Sequence, residues 1–148
     1  MDSRLRIRPV ALGLVWRGNA LLVFEDHDPV KDETFRRPLG GGIEFGERGE
    51  ETLRREFREE LNVELDSVRY LQTVENLFTY KDRPGHEIVL LYVADLATPE
   101  LYEQEEFLVR DDHADLKGYW APLDELVDSE IPLYPNGLLN LLSDEGAF

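Results

Sequence analysis

The chain has 148 residues, of which 42% are hydrophobic and 32% are charged, and this balance excludes general disorder. Its 32 acidic residues outnumber 16 basic ones, and the formal net charge of −16 repels nucleic-acid phosphates and anionic membranes. With no cysteine, disulfides, thiolate metal ligands and a thiol nucleophile are excluded. Neither a secretory signal nor a membrane-spanning run is evident. We expect one cytoplasmic domain over residues 1–148, without nucleic-acid or membrane partners.

The first third of the chain has the pattern of short strands joined by turns. Arg17-Gly18-Asn19 is a turn signal between two apolar runs, which indicates a hairpin. A charged loop over residues 26–33 follows, and the triple glycine Gly40–Gly42 after the last strand is interpreted as a bend. The strands predicted here cover residues 4–16, 20–25 and 34–39.

A helix is predicted over residues 50–61. Leu53, Phe57 and Leu61 fall at i, i+4 and i+8 and form one apolar stripe. Asn62 follows the last apolar position and can adopt the left-handed conformation that ends a helix.

The remainder predicts further strands and two more helices. Strand patterns cover residues 68–80 and 86–96 on either side of a turn at residues 81–85. Another strand over residues 116–122 precedes a short helix, and a last helix is expected over residues 135–143. This order indicates an α/β (α+β) fold with a mixed, mostly antiparallel sheet and helices on its faces.

Three carboxylates lie on one flank of the predicted helix. Glu56 and Glu60 are one turn apart with Glu59 beside them, so they repel one another unless arginines or a divalent cation offset the charge. Arg55 is better placed to hold Glu47 from the preceding loop than to neutralise all three. Oxygen ligands and retained water suit Mg²⁺, whereas a site without His or Cys disfavours zinc.

These residues follow a recognisable spacing. Gly41, Glu47, Arg55-Glu56, Glu59-Glu60 and Val63 resemble the Nudix box, G-x5-E-x7-R-E-U-x-E-E-x-G-U, where U is a bulky aliphatic residue. The chain departs from the box at Asn62, which replaces a glycine, and at Phe57, which is aromatic. Asparagine is the next-best residue for a left-handed cap, so the loop–helix–loop geometry should survive.

The resemblance implies a Nudix-like α/β/α sandwich with a catalytic loop–helix–loop. It also implies hydrolysis of a nucleoside diphosphate linked to another moiety, with Mg²⁺ or Mn²⁺. Glu56 and Glu60 would be the principal metal ligands, Glu59 a further one, and the Gly40 carbonyl would complete the shell. Arg55 and Glu47 would form the orienting pair, and Glu56 is also one candidate for the general base.

The family often supplies another glutamate from a downstream loop, and the sequence leaves three options open: Glu103, Glu105 and Glu106. Arg36 and Arg37 precede the glycines and either bind substrate phosphates or form surface salt bridges.

Several other side chains have two interpretations. Asn76, Phe78 and Tyr80 share a strand face and either contact a base or pack within the protein. The alternating Arg4, Arg6 and Arg8 indicate a half-exposed edge strand more than a row of phosphate contacts. The three histidines, His27, His86 and His113, are expected to be surface or hydrogen-bonded residues rather than ligands, and His86, which follows a turn, is also open to a role in positioning substrate.

Competing functions also remain. A catalytically silent nucleotide-binding module is the alternative to a hydrolase, although it would not need mutually repelling carboxylates. An isopentenyl-diphosphate-isomerase-like enzyme fits poorly because that chemistry uses a cysteine. Triphosphates, ADP-ribose-like compounds or nucleotide sugars, and dinucleoside polyphosphates are all compatible with the box, and a homodimer is compatible with the sequence.

Overall fold

The computed structural model describes residues 5–111 and 114–145, and within them the chain forms nine strands and three helices. The strands are β1 (Ile7–Leu14), β2 (Trp16–Arg17), β3 (Ala20–Asp28), β4 (Glu33–Arg37), β5 (Leu39–Gly42), β6 (Leu65–Tyr80), β7 (Arg83–Leu96), β8 (Glu106–Arg110) and β9 (Asp115–Pro122). The helices are α1 (Gly49–Leu61), α2 (Leu123–Asp128) and α3 (Leu138–Glu145), and a 3₁₀ turn occupies Pro99–Glu103.

The strands form two sheets. The first has the order β5-β1-β7-β6, with β1 parallel to β7 and antiparallel to β5. The second has the order β2-β3-β9-β8, and β4 pairs with β3 on the edge opposite β9. The parallel β1–β7 ladder brings residues almost eighty positions apart into register, including Arg8 beside Glu87.

Alternating side chains of the strands enter two apolar layers. One layer joins Ala11 and Leu22 to Leu53 and Phe57 of α1. The other joins the intervening strand residues, such as Leu12, to apolar residues of α2 and α3. Because successive strand residues point to opposite faces, the strands lie between α1 on one side and α2 with α3 on the other. The predicted α/β/α sandwich is confirmed.

Several boundaries differ from the sequence predictions. The predicted first strand is divided at Val15, and its Arg4 lies outside the described residues. Strand β3 continues to Asp28, which shortens the predicted charged loop. The final helix starts at Leu138, because Gly137 with φ +88° breaks the helical path.

The triple glycine is the largest correction to the element predictions. Gly40–Gly42 is not a bend but most of strand β5, which pairs residue by residue with Val10–Leu12. Strand β8 was not predicted, although Phe107 and Val109 alternate with exposed residues in the manner of a half-buried strand. In the described part of the chain no helix is long and apolar enough to cross a membrane.

Candidate active site

Helix α1 is fixed at both ends by its own sequence. At its start, the Glu51 carboxylate accepts a hydrogen bond from the Arg48 backbone N–H at 2.9 Å. At its end, Asn62 adopts φ 57° and ψ 42°, and its N–H donates to the Arg58 carbonyl at 2.9 Å. Buried Leu53 and Phe57 anchor the helix on the sheet. The flank that carries the glutamates is therefore held against β5.

Glu47 and Arg55 form the pair that the sequence predicted. Arg55 Nε donates to Glu47 Oε2 at 2.7 Å, and Nη2 donates to Glu47 Oε1 at 3.0 Å. The Thr52 hydroxyl also donates to Oε1, at 2.7 Å. The hydrogen bond from Arg55, followed by that from Thr52, lowers the pKa of Glu47 to about 2. The same pairing raises the pKa of Arg55, so both side chains stay charged and mutually oriented.

Arg55 reaches further than its helical position suggested. Its Nη1 donates to Glu56 Oε1 at 3.0 Å and lies 3.3 Å from Glu59 Oε2. One guanidinium therefore touches three acidic residues and offsets part of their repulsion. Nη2 also donates to the Gly42 carbonyl at 3.2 Å, which ties the helix to β5.

Glu60 has the most unusual environment of the predicted ligands. Its Oε1 is buried with no hydrogen-bond partner among the described residues. Burial, followed by the nearby Glu56 carboxylate, raises the pKa of Glu60 to about 8, although Arg37 and the Gly40 backbone act in the opposite direction. A buried acceptor without a donor is costly, so this oxygen is suited to a cation.

The glycines of β5 permit close contact with this acidic flank. A Cβ atom on Gly41 would lie 2.5 Å from the carboxylate carbon of Glu56. A Cβ atom on Gly40, where φ is +149°, would lie 2.0 Å from the Ala11 carbonyl oxygen. Side chains at these positions would displace Glu56 or separate β5 from β1, so the glycines explain how the carboxylates approach the backbone.

The carboxylates of this flank are of the ligand type that a hard divalent cation prefers. Glu56, Glu59 and Glu60 line one cleft with Gly40–Gly42, and Glu60 contributes its buried oxygen without a donor. Within the described residues, no group of three or more acidic or histidine side chains is placed so that it could hold a metal ion. An open set completed by water and substrate oxygens is what Mg²⁺ prefers.

The carboxylates line a cleft of about 780 Å³. Arg37 lines this cleft, and its contact with substrate stays a prediction. Arg36 does not share that position, because adjacent strand residues point to opposite faces. Its side chain is 5% exposed and Nη2 donates to the Ile131 carbonyl at 2.9 Å, so Arg36 joins β4 to the segment before α3.

Two cleft residues were not predicted as site residues: an edge-strand role was favoured for Arg8 over a phosphate contact, and Asp111 was not considered. Arg8 reaches the cleft from β1, and Asp111 reaches it from the end of β8. Asp111 also raises the pKa of Glu60, which places it in the electrostatic field of the carboxylates. Neither residue lies near the box in sequence. The only sequence feature that could have indicated them is their position at the end of an alternating strand pattern.

The three downstream glutamates have other surroundings. Glu105 forms an ion pair with Arg17 at 3.2 Å, and Glu106 forms one with Lys117 at 3.3 Å. Glu103 ends the 3₁₀ turn. None of these three glutamates is among the described residues that line the cleft, whereas Asp111 is.

A second cavity of about 370 Å³ adjoins the cleft, and Arg8, Phe24, Arg37 and Asp111 line both. Its other lining residues include four aromatic and six charged side chains, and we call it the aromatic pocket after the former. Phe35 packs against Tyr80 and Tyr134, with ring centroids 5.9 and 5.4 Å apart. The remaining predicted candidates for a base contact, Asn76 and Phe78, also line this pocket.

The two described histidines do not line the cleft. His27 is exposed, contacts Thr34 through Nδ1 and lies 3.2 Å from Asp32 through Nε2. His86 is half-buried, and its Nε2 has no hydrogen-bond partner among the described residues. His113 lies outside the described residues.

Comparison with known proteins places this fold in one class. The model of the NUDIX domain family matches residues 6–140. A MutT NUDIX hydrolase from Burkholderia pseudomallei is 19% identical, with 93% of this chain and 95% of that chain covered and a TM-score of 0.66. A NUDIX hydrolase from Nitrosomonas europaea is 13% identical, with 93% and 86% covered and a TM-score of 0.67. A protein described as an ADP compounds hydrolase is 17% identical, with 86% and 65% covered and a TM-score of 0.58.

Because the family model covers most of its length, the chain belongs to the Nudix family. It is a Nudix hydrolase, and this family hydrolyses nucleoside diphosphate derivatives and generally uses divalent metal ions.

Proposed function

We propose that the protein hydrolyses a phosphoanhydride bond of a nucleotide, with Mg²⁺ or Mn²⁺ held by the carboxylate cleft. The observation that carries this proposal is the continuity of the two cavities. An acidic cleft suited to metal and phosphate opens directly into an aromatic pocket suited to a base, and Arg8 and Arg37 line both. This arrangement matches the two chemically different halves of a nucleotide.

The metal would be held by Glu56, Glu59 and Glu60 with the Gly40 carbonyl. When bound, it would neutralise phosphate charge and lower the pKa of a water molecule. Glu47 acts through Arg55. It accepts hydrogen bonds from two nitrogens of Arg55 and so restricts the movement of the guanidinium toward Glu56 and Glu59. Both are positioning residues in this proposal.

Proton transfer is assigned to carboxylates that border the cleft. Glu56 and Asp111 are the two candidates to accept a proton from the attacking water. Asp111 has the advantage that it is exposed and lies on a different element from the proposed ligands. It therefore takes the place that the sequence left to Glu103, Glu105 or Glu106.

The substrate would be held by contacts of two kinds. Arg37 and Arg8 would bind phosphate oxygens where the cavities meet. Phe35, Phe78 and Tyr80 would contact the base, because aromatic rings stack on any base face. We further expect a cytoplasmic enzyme, and a homodimer stays a prediction.

The experiment is a panel of nucleoside diphosphate and triphosphate derivatives, including ADP-ribose, nucleotide sugars and dinucleoside polyphosphates. Each is incubated with Mg²⁺, Mn²⁺ or EDTA, and products are separated by chromatography. We expect hydrolysis of at least one compound only with metal. Glu60→Gln should lower kcat by about 100-fold, since it removes a ligand charge.

Glu64→Gln is the matched control, because Glu64 follows the same helix but pairs with Arg58 outside the cleft. It should retain full activity. Hydrolysis that continues in EDTA, or an unimpaired Glu60→Gln enzyme, would contradict the proposal.

A silent binding module is the second candidate, and the contacts of Arg55 with Glu56 and Glu59 favour it. They show that the flank can be neutralised in part without a metal. This candidate predicts nucleotide binding in Mg²⁺ with no product from any compound of the panel, so the same experiment separates the two.

A further inference from the structure

The aromatic pocket contains two buried carboxylates that the proposed chemistry does not use, Asp28 and Glu87. Asp28 already accepts hydrogen bonds from three backbone N–H groups, which leaves Glu87 for a ligand. Glu87, on β7, is 4% exposed and lines the pocket with Asn76, Phe78 and Tyr80. A buried carboxylate requires hydrogen-bond donors around it. The donors that Glu87 already has therefore indicate which donors a ligand would have to supply.

Asn76 fixes one side of this carboxylate. The backbone N–H of Asn136 donates to Asn76 Oδ1 at 3.0 Å, which identifies that atom as the oxygen. Asn76 Nδ2 must then face Glu87, and it donates to Glu87 Oε1 at 3.3 Å. Both ends of the amide are engaged, so Asn76 sets the position of Glu87.

The other contact of Glu87 is looser. Arg8 Nη1 lies 3.6 Å from Glu87 Oε2, and the Arg8 side chain is 55% exposed. A carboxylate has about four lone-pair positions. With one hydrogen bond from Asn76 and an ion pair at the edge, Glu87 retains acceptor capacity toward the pocket.

Phe78 forms an aromatic surface beside this acceptor. In the β6–β7 ladder, Phe78 pairs with Gly85 and Asn76 pairs with Glu87, so the two pairs are neighbours on one face. A Cβ atom on Gly85 would lie 2.2 Å from the Phe78 ring. The ring therefore lies across Gly85, next to Glu87, which gives a flat surface with a carboxylate at its edge.

A planar ligand on this surface would present its edge to a group that only accepts hydrogen bonds. Guanine carries two adjacent donors on one edge, N1–H and the 2-amino group. Adenine presents an acceptor, N1, beside its amino group, and cytosine likewise presents N3 beside its amino group. An acceptor facing a buried carboxylate is repelled and leaves the carboxylate unpaired.

We propose that the pocket selects a guanine base and that Glu87 accepts hydrogen bonds from its N1–H and 2-amino groups. This makes Glu87 a specificity-determining residue. The proposal rests on the proposed function insofar as a nucleotide occupies the joined cavities, but it requires no hydrolysis.

The test is isothermal titration calorimetry in EDTA, where binding is measured without turnover. The ligands are GMP, dGMP, IMP and AMP. We expect GMP to bind at least about tenfold more tightly than AMP, with IMP between them because it lacks only the 2-amino group. Removing a donor from the ligand probes Glu87 without changing the protein.

The protein is then changed at one atom. Glu87→Gln should weaken GMP about tenfold or more and leave AMP within a factor of three, since Gln places a donor where guanine needs an acceptor. Glu33→Gln is the matched control. Glu33 lines the same pocket, but its Oε1 accepts the Tyr134 hydroxyl at 2.9 Å, so the preference for GMP should persist.

Three results would overturn the proposal: equal affinity for GMP and AMP, an unchanged GMP preference in folded Glu87→Gln, or loss of dGMP binding. The last would mean that Glu87 holds the ribose diol. If GMP is selected but no nucleotide is hydrolysed in Mg²⁺, the proposed function fails while this proposal stands. If metal-dependent hydrolysis occurs without guanine preference, only this proposal fails.

Discussion

Glu60 opposes folding in the metal-free protein. Its pKa is raised from 4.5 to about 8 by burial and by Glu56. Below pH 4.5 the carboxyl group is protonated in both the folded and the unfolded chain. As the pH rises from 4.5 to about 8, the unfolded chain releases the proton while the folded chain keeps it, so the free energy of unfolding decreases. Above about pH 8 the free energy of unfolding stays lowered by the full cost of burying the ionised Glu60 carboxylate.

We therefore predict that Glu60→Gln stabilises the protein in EDTA at pH 8. The gain should be on the order of 3 kcal/mol, and it should disappear near pH 4. Urea unfolding across a pH series measures it. Glu59→Gln, an equivalent change at an exposed position of the same helix, should keep the wild-type slope between pH 4.5 and 8. A Glu60→Gln protein with that same slope would show that Glu60 ionises at its ordinary pKa.

Strand β5 presents adjacent glycines to two different partners. A Cβ atom on Gly41 would meet the Glu56 carboxylate at 2.5 Å, whereas one on Gly42 would lie 2.7 Å from Arg8 Nη2. Each partner atom ends a flexible side chain that can move aside. Both alanine variants should therefore fold, and each should disturb one half of the site.

The two variants should separate metal binding from substrate binding. Gly41→Ala should raise the Mg²⁺ concentration needed for half-maximal activity about tenfold, because Glu56 is displaced. Gly42→Ala should instead raise KM about tenfold and leave the Mg²⁺ dependence unchanged, because Arg8 is displaced. Steady-state kinetics at varied Mg²⁺ and nucleotide measures both. If Gly42→Ala alters the metal requirement as well, Arg8 does not act on substrate alone.

Variants at the end of α1 can test the effect of Asn62, which stands where the box has a glycine. Asn62 has φ 57°, a conformation that costs most side chains about 1 kcal/mol and costs glycine nothing. Asn62→Gly should therefore leave the free energy of unfolding within about 0.5 kcal/mol, and Asn62→Ala should lower it by about 1 kcal/mol. Thermal and urea unfolding measure this. Equal losses in both variants would point to a side-chain role for Asn62.

The elements that the sequence predicted well are those whose signal is local. Helix α1, its cap and the Glu47–Arg55 pair all follow from residues within one short segment. The role of the glycines in β5 could not be predicted from a local segment, because their partner strand β1 lies thirty residues away. Arg36 and Arg37 could not be told apart until the pairing of β4 fixed which of them faces the cleft.

At the scale of the whole molecule, the site is assembled by the parallel pairing of β1 with β7. That ladder places Arg8 beside Glu87 and links the aromatic pocket of β6 and β7 to the glycine strand on the other side of β1. Sequence patterns predict β1, β6 and β7 as strands but not this order. Arg8, Glu87 and Asp111 were therefore not identifiable as neighbours before the fold was known.

The joined cavities lead to a prediction about two ligands at once. If the cleft holds phosphate and the aromatic pocket holds the base, a nucleoside and inorganic phosphate should bind together, whereas an intact nucleotide should compete with both. Double-inhibition kinetics in Mg²⁺, with phosphate and either guanosine or adenosine, should give intersecting rather than parallel lines. Phe78→Ala should weaken nucleoside inhibition about tenfold through lost stacking and leave phosphate inhibition unchanged. Mutually exclusive inhibition would mean that the two cavities do not receive the two halves of one substrate.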